Sequence, residues 1–244
     1  MTTRRMSVAL LLSFFSVAHA AAQELVTLAT RENVTQTFFL LAPPRPAAIA
    51  LLFPGSSGNI QLRMQNGEIK YNGGNFLIRS RLAFVEGGVA VAIMDTPSDQ
   101  PQGMQDRFRL SDNHVADVAA VVADLKKRFI NVPVFLVGTS RGSTSAAAAG
   151  RALGDTVSGV IVTSSMYLAA RSGQGLSGFK FTDISAPVLL VHHADDSCAN
   201  TPYREARRLA EAARYPLITV KGGLPATSDS CEAISPHGVG RANV

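Results

Sequence analysis

"VFLVGTSRGSTSAAAAG", residues 134–150, decides how the chain is read. An apolar run stops at Gly138, and an alanine-rich segment follows Gly142, so Ser140 falls at the seam between a buried strand and a helix. A nucleophilic oxygen must be exposed on a turn too sharp for bulky neighbours, and glycines two residues to either side let strand and helix approach closely. Gly138-Thr139-Ser140-Arg141-Gly142 is thus G-x-S-x-G in strand–turn–helix context. The helix dipole points its positive end at the serine, and the backbone N–H of Arg141 supplies one donor for a developing oxyanion. The plainer alternative is a helix N-cap serine in a tight turn. The flanking strand and helix favour the nucleophile.

Outward from this seam, apolar runs alternate with helical segments. Residues 47–53, 89–94, 134–137, 157–163, 187–191 and 217–220 read as strands, most of them continuous apolar runs of the kind covered on both faces. Residues 24–30 and 35–42 read as an antiparallel hairpin ahead of them. Helices are expected over residues 76–86, 112–129, 140–153 and 202–214. The clearest is 112–129, where Val115, Val118, Val122, Leu125 and Phe129 recur at three and four residues. The polar stretch 59–75, the loop 95–111 and the Gly- and Ser-rich excursion 164–185 carry no assigned element. This alternation predicts an α/β fold on a mostly parallel sheet, with helices on both faces and functional groups just after the strands.

The chain has 244 residues, 46% hydrophobic and 17% charged, which suits one globular domain over residues 23–244. Arg4 and Arg5, the apolar stretch 6–17 and the small residues Ala18, Ala20 and Ala22 read as a secretory signal peptide over residues 1–22. The apolar stretch falls short of the roughly 20 residues that span a bilayer, so no stable membrane anchor is expected after cleavage. Removing the signal lowers the formal charge from +5 to +3. The remaining basic residues are scattered, which argues against nucleic acid as a partner. An exported protein, periplasmic or secreted, with two cysteines, Cys198 and Cys231, is expected to pair them.

With Ser140 in place, the chain resembles the α/β-hydrolase superfamily, and in particular its small dienelactone-hydrolase-like branch. The resemblance runs from the hairpin to the Pro-His-Gly at residues 236–238 and implies an eight-stranded, mostly parallel sheet. It also implies a nucleophile, acid and histidine in that chain order. "VLLVHHADDSC", residues 188–198, resembles the family's H-G-x-x-D, which places the acid at Asp196, with Asp195 as the alternative one residue away. "SPHGVG", residues 235–240, offers His237 as general base, which takes the serine proton and later returns it to the leaving group. "LLFPGSSG", residues 51–58, resembles the family's HG-x turn, with Pro54 where histidine is common. The second oxyanion donor is expected from the N–H of Ser56, or else of Ser57. The family has a long helix after the histidine loop, and here the C-terminal helix is expected to be missing or shortened.

His192, His193, Asp195, Asp196 and Cys198 are residue types that bind metals. Adjacent strand residues face opposite sides, so no metal and no other cofactor is expected. Arg141, with Arg107 or Arg109, is a candidate for binding a substrate carboxylate, and a surface arginine is the plainer reading. The function implied is a serine hydrolase cleaving a small-molecule ester or related acyl substrate through an acyl-enzyme. The alternative is a catalytically inactive member of the fold that binds a ligand. The absence of Trp and the presence of only four Tyr argue against a large aromatic sugar-binding surface.

Overall fold

The computed structural model describes residues 21–170, 173–223 and 225–238. Of the expected signal peptide, residues 1–20 lie outside the described residues. Ala22, the last residue of the expected signal peptide, opens the first strand.

The chain folds on an eight-stranded sheet. Its strands are β1 (Ala22–Arg31), β2 (Val34–Ala42), β3 (Ala48–Phe53), β6 (Val89–Met94), β7 (Val134–Thr139), β8 (Gly159–Thr163), β9 (Val188–His193) and β10 (Leu217–Val220). Strands β4 (Arg63–Gln65) and β5 (Glu68–Lys70) form a separate small hairpin. The order in the large sheet is β1-β2-β6-β3-β7-β8-β9-β10. β2 pairs antiparallel with β1 and with β6, and every other neighbour pair is parallel.

The helices follow from the apolar pattern. α4 (Asp112–Arg128) buries Val118, Val121, Val122 and Leu125, and α5 (Gly142–Leu153) is buried along most of its length. Both pack on one face of the sheet with Phe38, Leu51 and Leu136. Leu209 and Ala210 of α6 (Tyr203–Ala213) pack against the same cluster. The opposite face, with Phe39, Leu52 and Val137, is covered by Leu77 and Ile78 of α1 (Phe76–Arg79) and by α2 (Arg81–Glu86).

Four local expectations need correction. The single helix expected over 76–86 is two, because the chain turns at Ser80. The helix after the nucleophile turn starts at Gly142, not at Ser140, because Ser140 has a left-handed φ of 50° that no α-helix contains. The stretch 59–75 holds the β4–β5 hairpin, and the loop 95–111 holds a short helix, α3 (Asp106–Arg109). Among the described residues, the last element is a single 3-10 turn, Pro236–Gly238, and no helix follows His237.

Candidate active site

Ser140 stands at the carboxyl end of β7, on the turn into α5, in a backbone conformation that a non-glycine residue adopts only under strain. The turn is held by bonds from Ser140 N–H to the Thr163 carbonyl (3.0 Å) and from the Ser143 hydroxyl to the Ser140 carbonyl (2.6 Å). Its glycines are required by close approach. A Cβ on Gly138 would lie 2.3 Å from the Gly142 carbonyl oxygen, and one on Gly142 would lie 1.9 Å from that of Phe53. No side chain fits at either position, so the spacing read from sequence has a steric cause.

Asp196 follows β9 and is buried. Its Oδ2 lies 3.2 Å from Nδ1 of His237, 2.9 Å from the Thr201 hydroxyl and 3.1 Å from Nε2 of His192. Its Oδ1 accepts the Cys198 N–H at 3.0 Å. Burial pushes the Asp196 pKa up, but the hydrogen bonds from His192, His237 and Cys198 outweigh it and hold the carboxyl well below the usual carboxylate range. Asp195 is exposed, and its backbone N–H donates to Nδ1 of His193. Of the two aspartates, Asp196 meets His237.

His237 lies in the Pro236–Gly238 turn and lines the same 270 Å³ cavity as Ser140, together with Ser56, Asn75 and Cys231. Among the described residues, no hydrogen bond joins the Ser140 hydroxyl to His237. In unliganded hydrolytic sites this contact often tightens only when substrate binds. The turn after β3 brings Ser56 and Ser57 to the cavity wall, and neither backbone N–H has an acceptor among the described residues. Both remain available as the second oxyanion donor. Arg141 lines a second cavity of 530 Å³ that also includes Ser140, with Met104, Met166 and Asn200.

Cys198 and Cys231 form a disulfide, joining the loop of Asp196 to the loop of His237. His193 turns away from His192, and its Nε2 donates to the Gly222 carbonyl at 2.8 Å. Among the described residues, no group of three or more His, Cys, Asp or Glu is placed to hold a metal ion.

Arg107 and Arg109, the expected companions of Arg141 in binding an anion, are placed elsewhere. Arg109 is fully buried and donates to the Ser145 hydroxyl (2.9 Å) and the Ser56 carbonyl (3.2 Å). Burial lowers its pKa to about 10, with Arg141 adding to the effect and Asp106 opposing it. Arg107 lines a separate cavity with Gln105 and Gln174. Arg141 pairs with buried Asp106, Nε to Oδ1 3.5 Å. The three guanidinium groups are therefore divided between structural partners and different surfaces.

Sequence reading missed Thr201 and the part played by His192. His192 carried the family resemblance only as a marker for the acid. Thr201 lies in a loop with no pattern of its own, five residues beyond Asp196.

A model of the serine aminopeptidase family S33 matches residues 82–180, which include Ser140 but neither Asp196 nor His237. No curated protein sequence matches the chain. Among solved structures, Est1E from Butyrivibrio proteoclasticus is similar at 15% identity and a TM-score of 0.59, covering 82% of this chain and 89% of that one. Dienelactone hydrolase from Anabaena variabilis is similar at 15% identity and a TM-score of 0.58, covering 84% and 88%. An α/β serine hydrolase without a lid from Xanthomonas campestris is similar at 15% identity and a TM-score of 0.56, covering 86% of each chain. The chain therefore has the α/β-hydrolase fold.

Proposed function

We propose that the protein is an exported serine hydrolase that cleaves a small ester or related acyl substrate. The observation that carries this reading is the Asp196–His237 pair beside the strained Ser140 turn, with Ser140 and His237 on one cavity. His237 Nε2 takes the Ser140 hydroxyl proton as Oγ bonds to the acyl carbon. The carbonyl oxygen becomes an oxyanion facing the N–H groups of Arg141 and Ser56, with Ser57 the alternative to Ser56. The carbon–oxygen bond to the leaving group then breaks, and His237 returns the proton to that oxygen. Water repeats the cycle on the acyl-enzyme, releasing the acid and restoring Ser140. Asp196 holds the imidazole with Nδ1 protonated and stabilises its cationic form. No step calls for a cofactor.

The Cys198–Cys231 disulfide supports an oxidising compartment. In keeping with release after export, no helix among the described residues is long and apolar enough to cross a membrane.

Labelling with a fluorophosphonate probe tests the reading without knowledge of the substrate. The wild-type protein is expected to be labelled and Ser140→Ala to resist labelling while keeping its fold. A folded wild-type protein that resists the probe would instead support an inactive, ligand-binding member of the fold. The unformed Ser140–His237 hydrogen bond is the observation that keeps this second reading in view.

A further inference from the structure

Thr201 stands between the acid and the base. Its hydroxyl oxygen lies 2.9 Å from Asp196 Oδ2 and 3.0 Å from His237 Nδ1, closer to the imidazole than the carboxylate is at 3.2 Å. Thr201 is fully buried, and so is His192, whose Nε2 lies 3.1 Å from Asp196 Oδ2 and 2.8 Å from the Thr201 backbone carbonyl.

The proton positions follow from chemistry. Both neighbours of His192 Nε2 are acceptors, so Nε2 carries the proton. Its Nδ1 is buried with no hydrogen-bond partner among the described residues, which suits a bare lone pair and not a second N–H. The Thr201 hydroxyl has one proton and two neighbours. Donated to His237 Nδ1, it would set an imidazole lone pair against the carboxylate of Asp196. Donated to Asp196 Oδ2, it leaves the Thr201 oxygen to accept Nδ1–H of His237, and every contact is attractive. That second arrangement makes Nε2 of His237 the lone-pair nitrogen, the form a general base needs.

We infer that Thr201 is a positioning residue that shares the Nδ1 proton of His237 with Asp196 and thereby selects the basic tautomer. His192, through the Thr201 carbonyl and the Asp196 carboxylate, fixes both partners from behind. The inference rests on the hydrolase reading for its kinetic part and on geometry alone for the tautomer.

The experiment compares wild type, Thr201→Val and Thr201→Ser, with p-nitrophenyl acetate turnover, fluorophosphonate labelling rate, thermal melting and the low-field proton NMR signal of His237 Nδ1–H. Thr201→Val keeps the side-chain shape and removes the hydroxyl. It is expected to lower kcat and labelling rate by about tenfold to a hundredfold, the range for one lost hydrogen bond to a charged group, with KM little changed. Its low-field signal should broaden or move. Thr201→Ser is expected to restore both rate and signal. Thr201→Val, folded, with wild-type kcat and an unchanged signal would overturn the inference. So would Thr201→Ser behaving like Thr201→Val. Should wild type show neither turnover nor labelling, the hydrolase reading fails, and the signal in the three proteins still decides whether Thr201 shares the His237 proton.

Discussion

Cys198 and Cys231 are bonded to each other across 33 residues of chain, and the bond ties the segment that follows Asp196 to the segment that precedes His237. The Cys198 N–H also donates to Asp196 Oδ1. The same residue therefore holds the carboxylate by its backbone and the histidine loop by its sulfur. Chain-entropy reasoning gives such a crosslink roughly 3–4 kcal/mol of stabilisation, although its enthalpic share is disputed.

The histidine segment has few other ties. Residues 225–234 are mostly exposed, and among the described residues their long-range bonds include one from the Arg79 guanidinium to the Ala233 carbonyl. Reduction is therefore expected to abolish esterase turnover at reductant concentrations that leave far-UV circular dichroism unchanged. Full turnover in protein whose thiols are shown to be free by mass spectrometry would rule out the catalytic part of the disulfide.

Asp196→Asn is expected to lower kcat on the order of a thousandfold to ten-thousandfold, as loss of the carboxylate does in other triads. Asp195→Asn, at an exposed side chain, should stay within about twofold of wild type. Steady-state kinetics on the two variants measure the difference. The reverse ranking would move the acid to Asp195.

Arg109 anchors the turn that carries Ser56. With Arg109→Met, the Ser56 carbonyl and Ser145 hydroxyl lose their donor, and stability is expected to fall by about 1–3 kcal/mol. Turnover measured well below the new melting temperature should also fall, because a loosened turn no longer aims its N–H groups. Denaturant titration alongside kinetics separates the two effects. Wild-type turnover in this variant would show that the function of the Ser56 turn does not depend on Arg109.

His114 is a silent participant in acid stability. It is fully buried near Phe53 and Phe108 with neither ring nitrogen hydrogen-bonded among the described residues, and burial, reinforced by the charges of Arg109 and Arg31, lowers its pKa to about 3. The unfolded chain binds this proton near pH 6.5 and the folded protein does so only near 3. The stability of the neutral form is therefore complete above about pH 6.5 and is lost as pH falls toward 3, at about 1.4 kcal/mol per pH unit for this one group. Urea titrations from pH 7 to 4 should show that slope, and it should be reduced by about this amount in His114→Leu. An unchanged slope in the variant would assign the acid sensitivity to other groups.

What the sequence by itself determined was whatever local sterics and periodicity dictate. Short apolar runs bounded by turn residues read as buried strands, the three- and four-residue spacing of α4 buries one stripe, and Gly138 and Gly142 admit no side chain where strand and helix touch. Ser140 was legible for that reason, and His237 and the aspartate pair were legible through chain order and family resemblance. An even cysteine count in a chain that opens like an exported protein was enough to expect the disulfide. The break at Ser80, the short α3 and the β4–β5 hairpin were not legible, because elements of three to six residues depend on the surface they pack against.

The choice of Asp196 over Asp195 belonged to tertiary structure. The two differ by one position, and only the placement of the His237 loop, 41 residues away, decides which carboxylate is met. The same holds for Arg109, one of two candidate companions of Arg141 in binding an anion, which folding buried behind the turn that carries Ser56. It holds most for Thr201, whose hydroxyl acquires two charged or polar neighbours from segments that share no pattern along the chain. Hydrogen bonds of this kind are fixed by distances between segments, and distance in space is the quantity that a linear pattern of residues does not encode.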